Sequence, residues 1–361
     1  MALIPEFHCF LTLDSALELA NRLFSQSDER DLNQVVTYDT TFNLCGFYVS
    51  TLVMKNTQVL NDKKIEPLFP VAYFLHNRKS TETHQIFFKW IFEKLKFSST
   101  VPIVTDRERS IVNSITSYAI GKENLFFCTN HILRDVELWL QKHQLENELS
   151  TYKSHMYLLN QSKSVQHFDS QVNCLKPEWK TEFAEYFVKN IQPAFLNNFI
   201  KLEGRSFQHF LSKNITSNLS ESLHSSMKNF INNKRGKLRA DELAVALFIY
   251  QNNILHDFNR AFDKFGGEYL IKPEFGHVPK LQLEHGLLKC EDILQEVHEN
   301  INANHKDELP QANENITEKS LAYFVKREGK ISYKSKYNAW LVGHPFYRVA
   351  RVETVVVRDD G

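Results

Sequence analysis

The spacing of apolar residues changes character several times along this chain. Over residues 12–26, Leu13, Ala16, Leu17, Ala20, Leu23 and Phe24 recur at helical spacing and predict a short amphipathic helix. Ser27–Asn33 is polar and predicts a turn. The pattern then becomes β-like. Val35–Phe42, Phe47–Met54 and Glu66–His76 are rich in Val, Thr, Tyr and Phe, with short polar connections between them. Three such runs in succession predict an antiparallel meander.

Helical spacing returns over 81–96, with Ile86, Phe87, Trp90, Ile91 and Leu95 apolar. Val101–Thr105 predicts a short buried strand, Glu108–Ile120 a helix, Leu125–Cys128 a strand and His131–Leu145 a helix. The order βββ-α-β-α-β-α predicts an α/β domain with a mixed sheet. No strand pattern occurs over 144–213, where Trp179, Phe183, Phe187 and Ile191 recur every four residues. This stretch predicts helices. Two more follow, over Asn218–Asn232 and Asp241–Phe265. The periodicity weakens after Gly266. Residues 300–317 read as a polar linker, and Tyr347–Val357 as a closing β-like segment.

Composition narrows the class. The 361 residues carry 43 basic and 43 acidic side chains, and 42% are hydrophobic. These are globular proportions, which exclude wholesale disorder. Neutral balance argues against coating nucleic acid by bulk charge but allows a local basic strip. Cys9, Cys45, Cys128, Cys174 and Cys290 are odd in number and far apart, which argues against a disulfide scaffold and for a reducing compartment. Met1–Ala20 lacks Lys and Arg and makes a poor signal peptide. The longest apolar run, Leu243–Tyr250, is too short to span a bilayer. A soluble intracellular protein is expected.

Phosphate-loop, dinucleotide, nucleophile-elbow and zinc-protease motifs are absent. Three acids stand out instead. Asp39 interrupts a β-favouring run, where an acid must be paired or bind a cation. The ordinary alternative is a strand-ending residue that bonds a turn. Asp106 follows a strand and precedes a helix, at the strand end where α/β sheets bind ligands. Its ordinary alternative is a helix N-cap. Glu221 shares a helix with the apolar stripe Leu219, Leu223, Met227, Phe230 and Ile231. It falls on another face, with His224, Ser225 and Lys228, and points to solvent or a cleft. Its ordinary alternative is the N3 position of a capping box. Together the acids are suited to two divalent cations of the hard kind, and hence to in-line displacement at phosphorus.

These residues resemble the Mutator-like (MULE) transposase domain. The likeness begins at Thr37-Tyr38-Asp39-Thr40-Thr41-Phe42 with Tyr48-Val49-Ser50, and continues through Pro70–His76 and the helix after Thr81-Glu82-Thr83. It takes in Val104-Thr105-Asp106 and then Phe127-Cys128-Thr129-Asn130-His131, which resembles the family's Cys-x-x-His signature. Asn218–His224 resembles the segment bearing the third acid.

The resemblance implies an RNase H-like mixed sheet flanked by helices, with an all-helical insertion before the last catalytic helix. It divides the chain into an N-terminal helical segment (1–33), a first core part (34–143), the insertion (144–213), the closing core helices (214–265) and a C-terminal region (266–361). It also implies a DDE site of Asp39, Asp106 and Glu221 holding two Mg²⁺ or Mn²⁺ ions. The expected activity is DNA strand cleavage and transfer, in the nucleus, by a homo-oligomer acting on transposon ends and target DNA.

Zinc is not expected, because Cys128 and His131 supply two ligands where a structural site needs four. They are expected to be a buried Cys and a hydrogen-bonded His near the site. The strip Lys228, Lys234, Arg235, Lys237 and Arg239 is a candidate grip on DNA phosphates, or else a solvated loop. The upstream zinc module and downstream Cys/His motif usual in the family have no counterpart here. That favours a second reading, a catalytically inactive DNA- or chromatin-binding derivative. A third is a different RNase H-like nuclease, which cleaves without strand transfer.

Overall fold

The computed structural model describes residues 7–26, 34–42, 44–97, 101–202, 218–231, 238, 240–263, 268–283, 286, 323–327, 330–334 and 339–342. The expected turn at Ser27–Asn33, the polar linker and the closing segment Tyr347–Val357 lie outside them.

The fold is α/β, with a mixed six-stranded sheet flanked by helices. Its strands are β1 (His8–Leu11), β2 (Val36–Thr41), β3 (Tyr48–Lys55), β5 (Leu68–His76), β6 (Ile103–Thr105) and β7 (Leu125–Phe127), in the order β1-β5-β3-β2-β6-β7. The expected meander is present as β2, β3 and β5, all antiparallel. Strands β6 and β7 extend it in parallel on the other side of β2. Pairing slips by one residue where Val53 faces Pro70. Proline has no N–H to give the ladder. The carbonyls freed there are taken by Thr12 and by Gln251, whose Nε2 lies 2.8 Å from Pro70 O.

The pleat sends alternate residues to opposite faces. Val36, Tyr38, Leu52 and Met54 enter one buried cluster with α1 (Asp14–Gln26), α2 (Thr81–Lys94) and α3 (Arg109–Thr116). Val49, Val53, Tyr73 and Leu75 enter another with Leu223 and Met227. Ser80 caps α2, accepting the Thr83 N–H at 3.2 Å. The helices α5 (Thr129–Lys142), α6 (Leu149–Asn160), α7 (Val165–Leu175), α8 (Thr181–Tyr186) and α9 (Gln192–Leu202) share a core of their own. In it Trp179, Phe183, Phe187 and Ile191 are buried, as their spacing predicts. One π-helical turn, Phe187–Ile191, joins α8 to α9. The closing helices are α10 (Asn218–Phe230) and α11 (Ala240–Phe262).

Several elements differ from the expectation. The N-terminal segment is not wholly helical, because β1 pairs with β5 and places His8 opposite His76. The helix expected over Glu108–Ile120 is two, α3 and α4 (Ala119–Asn124), with Tyr118 between them tied to the Gln85 carbonyl. Short strands β4 (Val59–Asn61) and β8 (Tyr269–Ile271) form a separate ribbon. Strands β9 (Tyr323–Arg327), β10 (Lys330–Lys334) and β11 (Ala339–Val342) form an antiparallel sheet in the order β11-β10-β9. None of these strands exceeds five residues.

Candidate active site

Parallel register brings the candidate residues together. Tyr38 pairs with Thr105, and Thr105 pairs with Phe127. The next residues are Asp39, within β2 just past its last parallel pair, and Asp106 and Cys128, just past the carboxyl ends of β6 and β7, so the three stand side by side. Two bonds hold this edge: Thr105 Oγ1 donates to Tyr38 O at 2.9 Å, and the Cys128 N–H donates to Thr105 O at 2.8 Å.

Asp39 lies inside β2 opposite Thr51, not at a turn. It is 8% exposed, and its Oδ1 accepts the Thr40 N–H at 2.8 Å. Burial raises its carboxyl from an ordinary 3.8 to about 6. His131 opposes that rise, while Asp106 and Glu221 add to it. Asp106 is half-buried and is also raised, first by burial. It is not the helix cap: Glu108 holds that position, and Asp106 Oδ1 accepts its N–H at 3.1 Å. The adjoining Arg107 donates to the Asp135 carboxylate and to Asn190 O, within the π-helical turn. The helical stretch thus braces the loop that carries Asp106.

Cys128 is fully buried just ahead of α5, and His131 lies in the first turn of that helix. A hydrogen bond to Cys128 raises His131 from 6.5 to about 9, with Asp39 and Asp106 adding to the effect against desolvation. The shift favours the protonated form of the imidazole beside the acids. Glu221, with its side chain 48% exposed, lies 3.8 Å from His131 Nε2.

Helix α10 approaches the sheet face that bears Thr37, Asp39 and Thr51. Ser220 Oγ is 2.6 Å from Thr37 Oγ1. His224 Nε2 is 3.2 Å from Thr51 Oγ1, and its Nδ1 is 3.7 Å from Asp39 Oδ2. His224 does not share the exposed face of Glu221, as its spacing had suggested; it is 5% exposed. Burial lowers it to about 4, so it is neutral at pH 7. The helix buries Ser220, Leu223, His224 and Met227 as one arc in which two members are polar. Reading apolar residues alone misses such an arc; the signal was the pair Ser220 and His224, one turn apart and flanking Leu223.

Carboxylate oxygens suit Mg²⁺ or Mn²⁺. Asp39 and Asp106 fit such an ion chemically, as a buried and a half-buried acid whose carboxyls are both raised, with His131 opposing the rise at both and Lys79 at Asp106. Among the described residues, no group of three or more His, Cys, Asp and Glu converges closely enough to hold a metal ion. Of the basic strip, Lys228 lies in the last turn of α10, while Lys234, Arg235, Lys237 and Arg239 lie outside the described residues. Among the described residues no helix is long and apolar enough to cross a membrane. No family model matches this chain, and no curated protein matches it in sequence.

Proposed function

We propose that this chain is a DDE-type DNA transposase of the Mutator-like kind, with an RNase H-like core, or a derivative of one. The observation that carries the reading is that Asp39, within β2, and Asp106, just past the end of β6, follow the last pair of two adjacent parallel strands, with α10 laid across Asp39. Three antiparallel strands, two parallel ones and a helical stretch before α10 agree with it.

Asp39 and Asp106 would hold the cations, with Glu221 completing the second site. Two bound Mg²⁺ or Mn²⁺ ions would supply activation of the attacking oxygen and charge stabilisation of the leaving one. Asp39 and Asp106 keep their orientation through the Thr40 and Glu108 N–H groups. His131 offsets part of their charge and holds Glu221 at the rim. Lys228, with the strip through Arg239, would meet DNA phosphates. The partners would be transposon ends, target DNA and further copies of the chain, in the nucleus.

A second reading, the inactive DNA- or chromatin-binding derivative, is favoured by one observation: Glu221 lies against His131, 3.8 Å from its Nε2. Incubation with supercoiled plasmid and Mn²⁺ separates the two. The first reading expects metal-dependent nicking that Asp39→Asn/Asp106→Asn abolishes. DNA binding without nicking supports the second.

A further inference from the structure

His224 occupies a place that the two-cation reading leaves unexplained. It is buried on α10 against β2 and β3, above the cross-strand pair Asp39 and Thr51. One ring nitrogen, Nε2, lies 3.2 Å from the Thr51 hydroxyl. The other, Nδ1, faces Asp39 Oδ2 at 3.7 Å. The remaining oxygen of Asp39 already accepts the Thr40 N–H.

A neutral imidazole carries one N–H, and its placement decides the contact. With the proton on Nε2, the Nδ1 lone pair opposes a carboxylate oxygen in a buried setting. With the proton on Nδ1, the N–H is directed at Asp39 and the Thr51 hydroxyl donates to Nε2. The second arrangement leaves no acceptor opposed to another, and so it is favoured. The separation from Asp39 exceeds a hydrogen bond, so the contact is that of a charge with an N–H dipole. Ser220, one turn earlier, bonds Thr37 at 2.6 Å. The helix is thereby fixed at two points on the strand face that carries Asp39, and sliding by one residue would break both.

We infer that His224 is a positioning residue for Asp39, its tautomer set by Thr51, which orients the carboxylate for a divalent cation. The inference rests on Asp39 being a cation ligand, as proposed above. Groups behind a ligand typically govern metal affinity by about 10- to 100-fold.

Manganese alone is the probe. Free Mn²⁺ is followed by electron paramagnetic resonance during titration of the full chain, with circular dichroism as the check on folding. The variants are Asp39→Asn, His224→Leu, His224→Asn and His224→Gln. Wild type is expected to bind and Asp39→Asn to fail. His224→Leu should lose about tenfold or more in affinity. His224→Asn should stay near wild type, because its amide nitrogen stands where Nδ1 does. His224→Gln, whose amide reaches the Nε2 position, should not restore binding. If His224→Leu does not fold, the Asn and Gln variants decide. Equal affinity in those two, or wild-type affinity in His224→Leu, overturns the inference while leaving Asp39 a ligand. Equal behaviour of wild type and Asp39→Asn overturns the ligand reading, and the inference falls with it.

Discussion

The Thr37 and Ser220 hydroxyls lie 2.6 Å apart, joining β2 to α10 across 183 residues of sequence. Both residues are fully buried. Removing either hydroxyl strands the other without its partner, which costs about 1–3 kcal/mol. Thr37→Val and Ser220→Ala should each destabilise by that order in urea denaturation. The double variant should lose less than their sum, because neither hydroxyl remains to be satisfied. Strict additivity would show that the pair is not coupled.

Asp39→Asn should stabilise the fold at neutral pH. The folded carboxyl is raised from 3.8 to about 6, so folding favours its protonated form. Its contribution is fully present below about 3.8 and is lost as pH rises through about 6. Ionisation at pH 7 then costs about 3 kcal/mol at most, by linkage. The Asn variant avoids this cost and keeps an oxygen for the Thr40 N–H. Thermal melts should show it roughly 1–3 kcal/mol more stable at pH 7, with the gap closing toward pH 4. A less stable variant at pH 7 would contradict the electrostatic account.

Cys128→Ala should bring His131 down toward an ordinary imidazole. The hydrogen bond to Cys128 is the largest cause of its rise to about 9. A raised histidine contributes stability that is fully present below about 6.5 and lost as pH rises through about 9. In the variant that loss should move to lower pH. NMR titration of the imidazole resonances reads the shift directly, and an unmoved His131 would remove Cys128 as its cause.

Gly121→Ala should destabilise the junction of α3 and α4. A Cβ there would lie 2.6 Å from Ile115 Cγ2 and closer still to the Ile115 carbonyl oxygen. Backbone has to move to admit it, at a cost of about 1–3 kcal/mol. A denaturation midpoint equal to wild type would show that the junction yields freely.

Much of this architecture was legible because the elements are long and regular. Strands β2, β3 and β5 declare themselves through β-branched and aromatic runs, and the helices through spacing such as Trp179, Phe183, Phe187 and Ile191. Asp39 and Asp106 were legible because an acid in a strand, or just beyond one, conflicts with its surroundings. Strand β1 was not, since His8–Leu11 is buried at every position and so lacks alternation. His224 was not legible as a buried residue, because its burial depends on Thr51 and Asp39, supplied by strands distant in sequence. Glu221 was placed on the correct helix, but its pairing with His131 depends on how α5 and α10 meet.

The central claim is that Asp39 and Asp106 form a divalent-cation site. Calorimetric titration of Mn²⁺ into the wild-type chain and into Asp39→Asn/Asp106→Asn tests it without a DNA substrate. Saturable binding in wild type that is lost in the double variant is the predicted result. The same heat in both proteins, or none in either, would contradict it.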